Sequence, residues 1–138
     1  MDATQGYVEL SAFNRPYDLG GWSLATAAGV VTLPKPTMVG PGQPVLLVRS
    51  AQAFQERFGP TPGLVELPSL ALNPERDQVA LREGPTQVDR VAWGGGAPGW
   101  SLSGQRPLCR DPAGRDTSTY LDWTLRSAPS PGAAGCGR

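Results

Sequence analysis

The chain has 138 residues, with 12 basic and 12 acidic side chains, so its formal charge at pH 7 is zero. This length fits one domain, because cores of roughly 100–150 residues are the commonest size. The balanced charge argues against strong sequence-independent binding of nucleic acid, which requires Lys and Arg to neutralise phosphates. No apolar run reaches the ~20 residues of a membrane-spanning helix, and residues 1–6 are too polar to form the core of a signal peptide.

Short apolar clusters alternate with Gly and Pro along the chain, which contains 18 Gly and 15 Pro. Because Gly supplies positive φ and Pro presets turn geometry, this pattern predicts an all-β fold of short strands and tight turns. In chain order, the first strands are expected at residues 7–10, 22–24, 30–33 and 45–48. The last of these is continuously apolar, which predicts burial on both faces.

One short helix is predicted at about residues 51–58. Ser50 is a suitable N-cap because its hydroxyl can accept a bond from a free backbone N–H. Gly59, followed by proline, is typical of a helix C-terminus. Phe54 and Phe58 are spaced i,i+4 and share one face. Since so short a helix is not stable alone in water, both side chains are expected to dock on a sheet.

A β-hairpin is predicted from strands at residues 78–82 and 88–93 around a turn at residues 84–86. Side chains alternate between the two faces of a strand. The inward-facing set predicted for this hairpin is Val79, Leu81, Val91 and Trp93.

The residue types that most often carry catalysis are scarce. Histidine is absent, which removes the commonest general base and metal ligand. Residues 94–99 (GGGAPG) match G-x-G-x-x-G, but the proline opposes the helix that a dinucleotide site requires, so a turn is expected. Asp111, Asp116 and Asp122 could suggest a calcium loop, but Ala113 and Arg115 break its ligand spacing, so these carboxylates are expected to be solvated. We therefore expect no enzyme activity, no cofactor and no metal site.

Cys109 and Cys136 both lie in segments rich in Gly and Pro, where buried packing thiols would be unusual. A disulfide between them would restrain the C-terminal part of the chain by constraining its unfolded state. It would also indicate an extracellular, periplasmic or cell-surface location, because disulfides persist in oxidising compartments. The alternative is two unrelated free thiols in a cytosolic protein.

Five residues are candidates for contact with a ligand. Trp100 and Tyr120 could stack on sugar rings or enter a pocket of a partner protein, although a Trp100 that caps the end of the core is the more common arrangement. Arg76, Arg82 and Arg90 are aligned on the hairpin region and could contact phosphates.

The order of several motifs resembles the lamin-tail domain family, in particular its bacterial members. The family's versions read Y-V-E-L, D-L-S-G-W-T-L, P-P-G, D-P-D-G-x-D-T and P-T-P-G. The matching segments are residues 7–10 (YVEL), 18–24 (DLGGWSL), 41–42 (PG), 111–117 (DPAGRDT) and 129–132 (PSPG). The predicted helix and hairpin follow the PG turn in the family's order.

The resemblance implies an immunoglobulin-like β-sandwich over residues 7–132, with short tails at 1–6 and 133–138. Family members usually open with an additional strand upstream of Y-V-E-L, and only residues 1–6 precede that motif in this sequence. We therefore expect that the first strand is missing or that a partner supplies it, since an unprotected edge invites pairing.

The resemblance also implies a non-catalytic module that mediates protein–protein interaction at the cell envelope or in a secreted protein. Two alternatives stay open. One is a carbohydrate-binding module that uses Trp100 and Tyr120. The other is an accessory nucleic-acid-binding domain of a secreted nuclease or phosphatase system, in which the three hairpin arginines contact phosphates.

Overall fold

The computed structural model of the protein describes residues 7–12, 14–73, 75–94, 108–110 and 123–125, the last two ranges by their backbone alone. Within these residues the chain forms eleven β-strands and one α-helix. In chain order they are β1 (Tyr7–Leu10), β2 (Tyr17–Asp18), β3 (Ser23–Thr26), β4 (Gly29–Thr32), β5 (Met38–Val39), β6 (Val45–Val48), α1 (Ala51–Phe58), β7 (Leu64–Glu66), β8 (Asp77–Glu83), β9 (Thr86–Trp93), β10 (Leu108–Arg110) and β11 (Trp123–Leu125).

Two larger sheets enclose the main hydrophobic core. One has the strand order β1-β6-β7, and the other is an antiparallel sheet of order β4-β3-β8-β9. Val8 and Leu47 of the first sheet share one core cluster with Leu24, Val79 and Trp93 of the second. Two-stranded pairs, β2-β5 and β10-β11, complete the described strands. The predicted all-β, sandwich-like fold with one short helix is therefore confirmed.

Strand β6 is apolar at every position because it is covered on both faces. Val45 and Leu47 belong to the core between the two sheets, whereas Leu46 and Val48 pack with Phe54 of α1 on the opposite face. All four side chains are at most 2% exposed. Burial on both faces, predicted from the unbroken apolar run, is confirmed.

Helix α1 connects β6 to the parallel strand β7 and covers the outer face of the three-stranded sheet. The Ser50 hydroxyl oxygen accepts a bond from the N–H of Ala53 at 3.2 Å, and the Gly59 N–H donates to the carbonyl oxygen of Gln55 at 2.8 Å. Phe54 is buried, and Phe58 packs partly buried against the same cluster. The predicted bounds, caps and docking face are confirmed.

The hairpin of β8 and β9 is longer than predicted, because both strands continue to the two-residue turn at Gly84 and Pro85. The register pairs Val79 with Val91, and a bulge falls between Leu81 and Arg82. The predicted inward-facing set of Val79, Leu81, Val91 and Trp93 is buried, as expected.

A buried carboxylate ties this hairpin to the strands beside it. Asp77 is 7% exposed and accepts bonds from the backbone N–H groups of Ala27, Asn73 and Gln78 at 2.7–2.9 Å. Trp93 donates its indole N–H to the carbonyl oxygen of Asn73 at 2.8 Å. These bonds satisfy polar groups that would otherwise be costly to bury.

The DLGGWSL segment holds the bend between β2 and β3. One carboxylate oxygen of Asp18 accepts bonds from the N–H groups of Thr37 (2.9 Å) and Gly20 (2.8 Å), and these bonds lower the pKa of Asp18, with a smaller contribution from the Lys35 charge. A Cβ atom at position 20 would lie 2.9 Å from the Lys35 Cα, and Gly21 has φ +84°. Both glycines are therefore required by the backbone geometry.

Among the described strands, β1 pairs with β6 alone. The described residues include no helix with the length and apolarity needed to span a membrane.

Candidate binding surface

The four-stranded sheet has an outer face, which is the face directed away from the core. It is formed by the residues that alternate with the buried set: Ser23, Ala25, Val30, Thr32, Gln78, Ala80, Arg82, Arg90 and Ala92. None of these residues belongs to either of the two described hydrophobic clusters. The outer face of the other sheet, in contrast, is covered by α1.

Small side chains make the middle of the outer face shallow. The register aligns Val30, Ala25, Ala80 and Arg90 in one row across all four strands. Ala80 is 3% exposed, whereas Val30, at the sheet edge, is 65% exposed. The accessible side chains of this row are therefore those at its two ends, Val30 and Arg90, whereas the central Ala80 is buried.

The Arg90 side chain is fixed in place on the outer face. Its Nε and Nη2 atoms donate to the side-chain oxygen of Gln78 at 3.1 and 2.7 Å. A guanidinium group has five N–H donors, so this contact orients the group and leaves three donors for another acceptor. Because less side-chain freedom is lost on binding, such an arrangement favours recognition of a carboxylate or a carbonyl group.

The structure brings together two of the three predicted arginines. Arg82 and Arg90 lie on the outer face of β8 and β9, and both are exposed. Arg76 is also exposed, but it precedes β8 and lies beyond the end of the hairpin strands. The arginines thus occupy the predicted hairpin region, while their ligand stays a prediction.

The remaining predicted site residues lie outside the described side chains. Trp100, Tyr120 and Cys136 fall in segments that the structure does not describe, and Cys109 lies in β10, which is described by its backbone only. The disulfide and the aromatic ligand contacts therefore stay predictions. Asp111, Asp116 and Asp122 also lie outside the described residues.

The sequence did not reveal Val30 and the small side chains of the outer face as parts of one surface. Val30 and Val31 are adjacent in sequence, yet the first is exposed on the outer face and the second packs against the core. Alternation along a strand shows that adjacent residues face opposite sides, but it does not show which side of β4 meets the core.

In the described part of the chain, no three His, Cys, Asp or Glu residues are grouped closely enough to hold a metal ion. The outer face offers the hydrogen-bond donors of Arg90 and an exposed apolar side chain in Val30. Comparison with protein-family models gives no match, and comparison with curated proteins gives no significant one.

Proposed function

We propose that the protein is a non-catalytic module that binds another protein through the outer face of its four-stranded sheet. The observation that carries the proposal is the asymmetry of the two sheets: α1 packs on one outer face, whereas the residues of the other outer face belong to neither hydrophobic cluster. The open face combines exposed Val30 with the oriented guanidinium of Arg90. Apolar contact joined to arginine is typical of protein interfaces, in which Arg is enriched.

We also propose that the module is an immunoglobulin-like sandwich of the lamin-tail type. Supporting this, the YVEL motif forms β1, the DLGGWSL motif runs from the end of β2 into β3, and the PG turn precedes β6. The helix and the β8-β9 hairpin then follow in the order of that family. Secretion or an envelope location, with Cys109 and Cys136 joined, belongs to the same proposal and rests on the sequence argument.

A protein partner suits the outer face better than a glycan or a nucleic acid does. Sugar-binding surfaces use exposed aromatic rings, but Trp93 is buried and Trp22 packs against the core. Nucleic acid requires an excess of positive charge, whereas Glu83 and Asp89 lie in the same strands as Arg82 and Arg90.

Affinity capture with matched charge reversals tests the proposal. Wild-type protein, Arg82→Glu and Arg49→Glu would each be immobilised and exposed to envelope and secreted fractions of the source cells. Arg49 is exposed and lies between β6 and α1, away from the outer face. We expect a protein that is retained by the wild type and by Arg49→Glu and is lost with Arg82→Glu. Equal retention by all three, or no protein above background, would contradict the proposal.

The two alternative functions have their own readouts. A glycan that is bound by the wild type and lost in Trp100→Ala would establish the carbohydrate-binding alternative. Binding of single- or double-stranded DNA that weakens steeply with salt and is lost in Arg82→Glu would establish the nucleic-acid alternative. Either result, without a protein partner, would replace the proposed function.

A further inference from the structure

Strand β4 forms an exposed edge of the four-stranded sheet. It pairs with β3 on one side and with no other described strand. Gly29, Val30 and Thr32 are exposed, and Val30 is the most exposed of the large hydrophobic residues in the described chain. The edge is therefore accessible along the length of the strand.

The backbone groups available at this edge follow from the ladder between β3 and β4. The Leu33 N–H donates to the carbonyl oxygen of Trp22 at 2.8 Å, and the Leu33 carbonyl accepts from the Gly21 N–H at 3.0 Å. In an antiparallel ladder, every second residue of a strand directs its backbone N–H and C=O groups toward the same neighbouring strand. Val31 and Gly29 therefore bond to β3, while Val30 and Thr32 direct their N–H and C=O groups toward the open edge.

Within the described chain, strand β4 itself lacks the features by which proteins usually prevent strand addition, and Pro34, Lys35 and Pro36 begin two residues beyond its end. Natural edges are protected by charged residues, proline, bulges or a covering element. The sequence of β4 is Gly-Val-Val-Thr, with neither charge nor proline. Its register with β3 runs through four consecutive pairs without a bulge.

We propose that two copies of this chain associate through antiparallel pairing of their β4 strands. The free groups of Val30 would bond to those of Thr32 in the second copy, and those of Thr32 to Val30, giving four backbone hydrogen bonds. Val31 would face Val31 of the second copy on the two-fold axis. The two sheets would then form one continuous eight-stranded sheet.

The charge of the strand and of the chain favours a second copy as the occupant. The same short strand supplies both donors and both acceptors in the register that two-fold symmetry requires, which makes the edge self-complementary. The strand has no charge that would select an unlike partner, and a formal net charge of zero removes general repulsion between copies. The pairing uses the backbone of Val30, whereas a partner on the outer face would contact its side chain, so Val30→Lys affects both proposals and Arg82→Glu is the variant that separates them.

Sedimentation velocity over a concentration series tests the pairing. Because the interface is small, we expect a transient dimer that populates between about 5 and about 500 µM. The weight-average mass should rise from 14.5 kDa toward twice that value. Val30→Lys places two like charges close together across the axis, and we expect it to weaken the dimer at least tenfold. Val88→Lys is the matched control, because Val88 is 46% exposed on β9.

Amide hydrogen exchange gives a second readout that does not depend on a substitution. In concentrated wild-type protein, the amides of Val30 and Thr32 should become protected relative to dilute protein, whereas the amide of Val31, already bonded to β3, should change little. A constant mass of 14.5 kDa at the highest concentration would overturn the proposal. The proposal would also be overturned by a dimer that Val30→Lys leaves intact, if the amide exchange of Val30 and Thr32 in that dimer is the same as in dilute protein. Arg82→Glu should leave the dimer unaffected, which separates this proposal from partner binding on the outer face.

Discussion

Replacement of Phe54 by alanine tests whether α1 is held by packing on the three-stranded sheet. The side chain is 1% exposed, and its ring lies 5.6 Å from that of Tyr7 in an edge-to-face arrangement and 4.8 Å from that of Phe58. Truncation would remove both ring contacts and leave a cavity between α1 and the sheet. Because an eight-residue helix is unstable alone, α1 depends on this packing, and Phe54 is its one buried side chain.

The expected loss follows from the depth of burial. Phe→Ala substitutions in cores cost about 3–5 kcal/mol, of which edge-to-face aromatic pairs account for about 0.5–1.5 kcal/mol each. Phe54 lies in the smaller of the two clusters, where some of its neighbours are only partly buried. We therefore expect a decrease of about 3–4 kcal/mol in the free energy of unfolding. A domain of ordinary stability, about 5–15 kcal/mol, would remain folded at 25 °C.

Urea unfolding monitored by tryptophan fluorescence measures this loss, since the chain has four Trp. Gln55→Ala is the matched control, because Gln55 is exposed on the same helix, and its effect should stay within about 0.5 kcal/mol. A loss below about 1 kcal/mol for Phe54→Ala, or equal losses for the two variants, would refute the conclusion that Phe54 anchors the helix.

Three further predictions test local features, the second of them with a control substitution. The pKa of Asp18 is lowered, so its ionised form stabilises the fold at pH values above the ordinary carboxyl pKa of 3.8. This contribution is lost as the pH falls through the folded-state pKa. Asp18→Asn should therefore flatten the decline in Tm between about pH 4 and pH 2. Gly94→Ala should destabilise the fold by at least about 2 kcal/mol, because φ is +90° and a Cβ atom would collide with the backbone of residues 75 and 76. Gly84→Ala is the control and should cost less in the same urea titration, because φ is +56° there and no atom lies within 4 Å of an added Cβ. Ser50→Ala removes the N-cap bond and should lower the free energy of unfolding by about 1 kcal/mol.

The strands and the helix with a clear periodic or capping signal could be predicted from the sequence. The unbroken apolar run of β6 indicated burial on both faces, and Ser50 with Gly59 marked the ends of α1. Strands β2, β5 and β7, of two or three residues, were not predicted. Such short strands are defined by their neighbours rather than by their own sequence, since β2 and β5 form only because they meet each other.

The candidate binding surface could be predicted only in part, for a similar reason. Arg82 and Arg90 were identified because the hairpin is a local feature of the sequence. Val30 and Ala25 join them through the pairing of β3 with β8, which are separated by about fifty residues in the chain. Nothing in the local sequence specifies that pairing, because it depends on the packing of the two sheets against each other.

The central claim is that the outer face of the four-stranded sheet binds a protein, and site-specific photocrosslinking tests it most directly. A photoreactive phenylalanine analogue would replace Ala92, which is exposed on the outer face, or Gln52, which is exposed on α1. We expect ultraviolet irradiation in the native extract to yield a covalent adduct with a distinct protein from the position 92 variant and none from the position 52 variant. An adduct from position 52 alone, or none from either position, would contradict the claim.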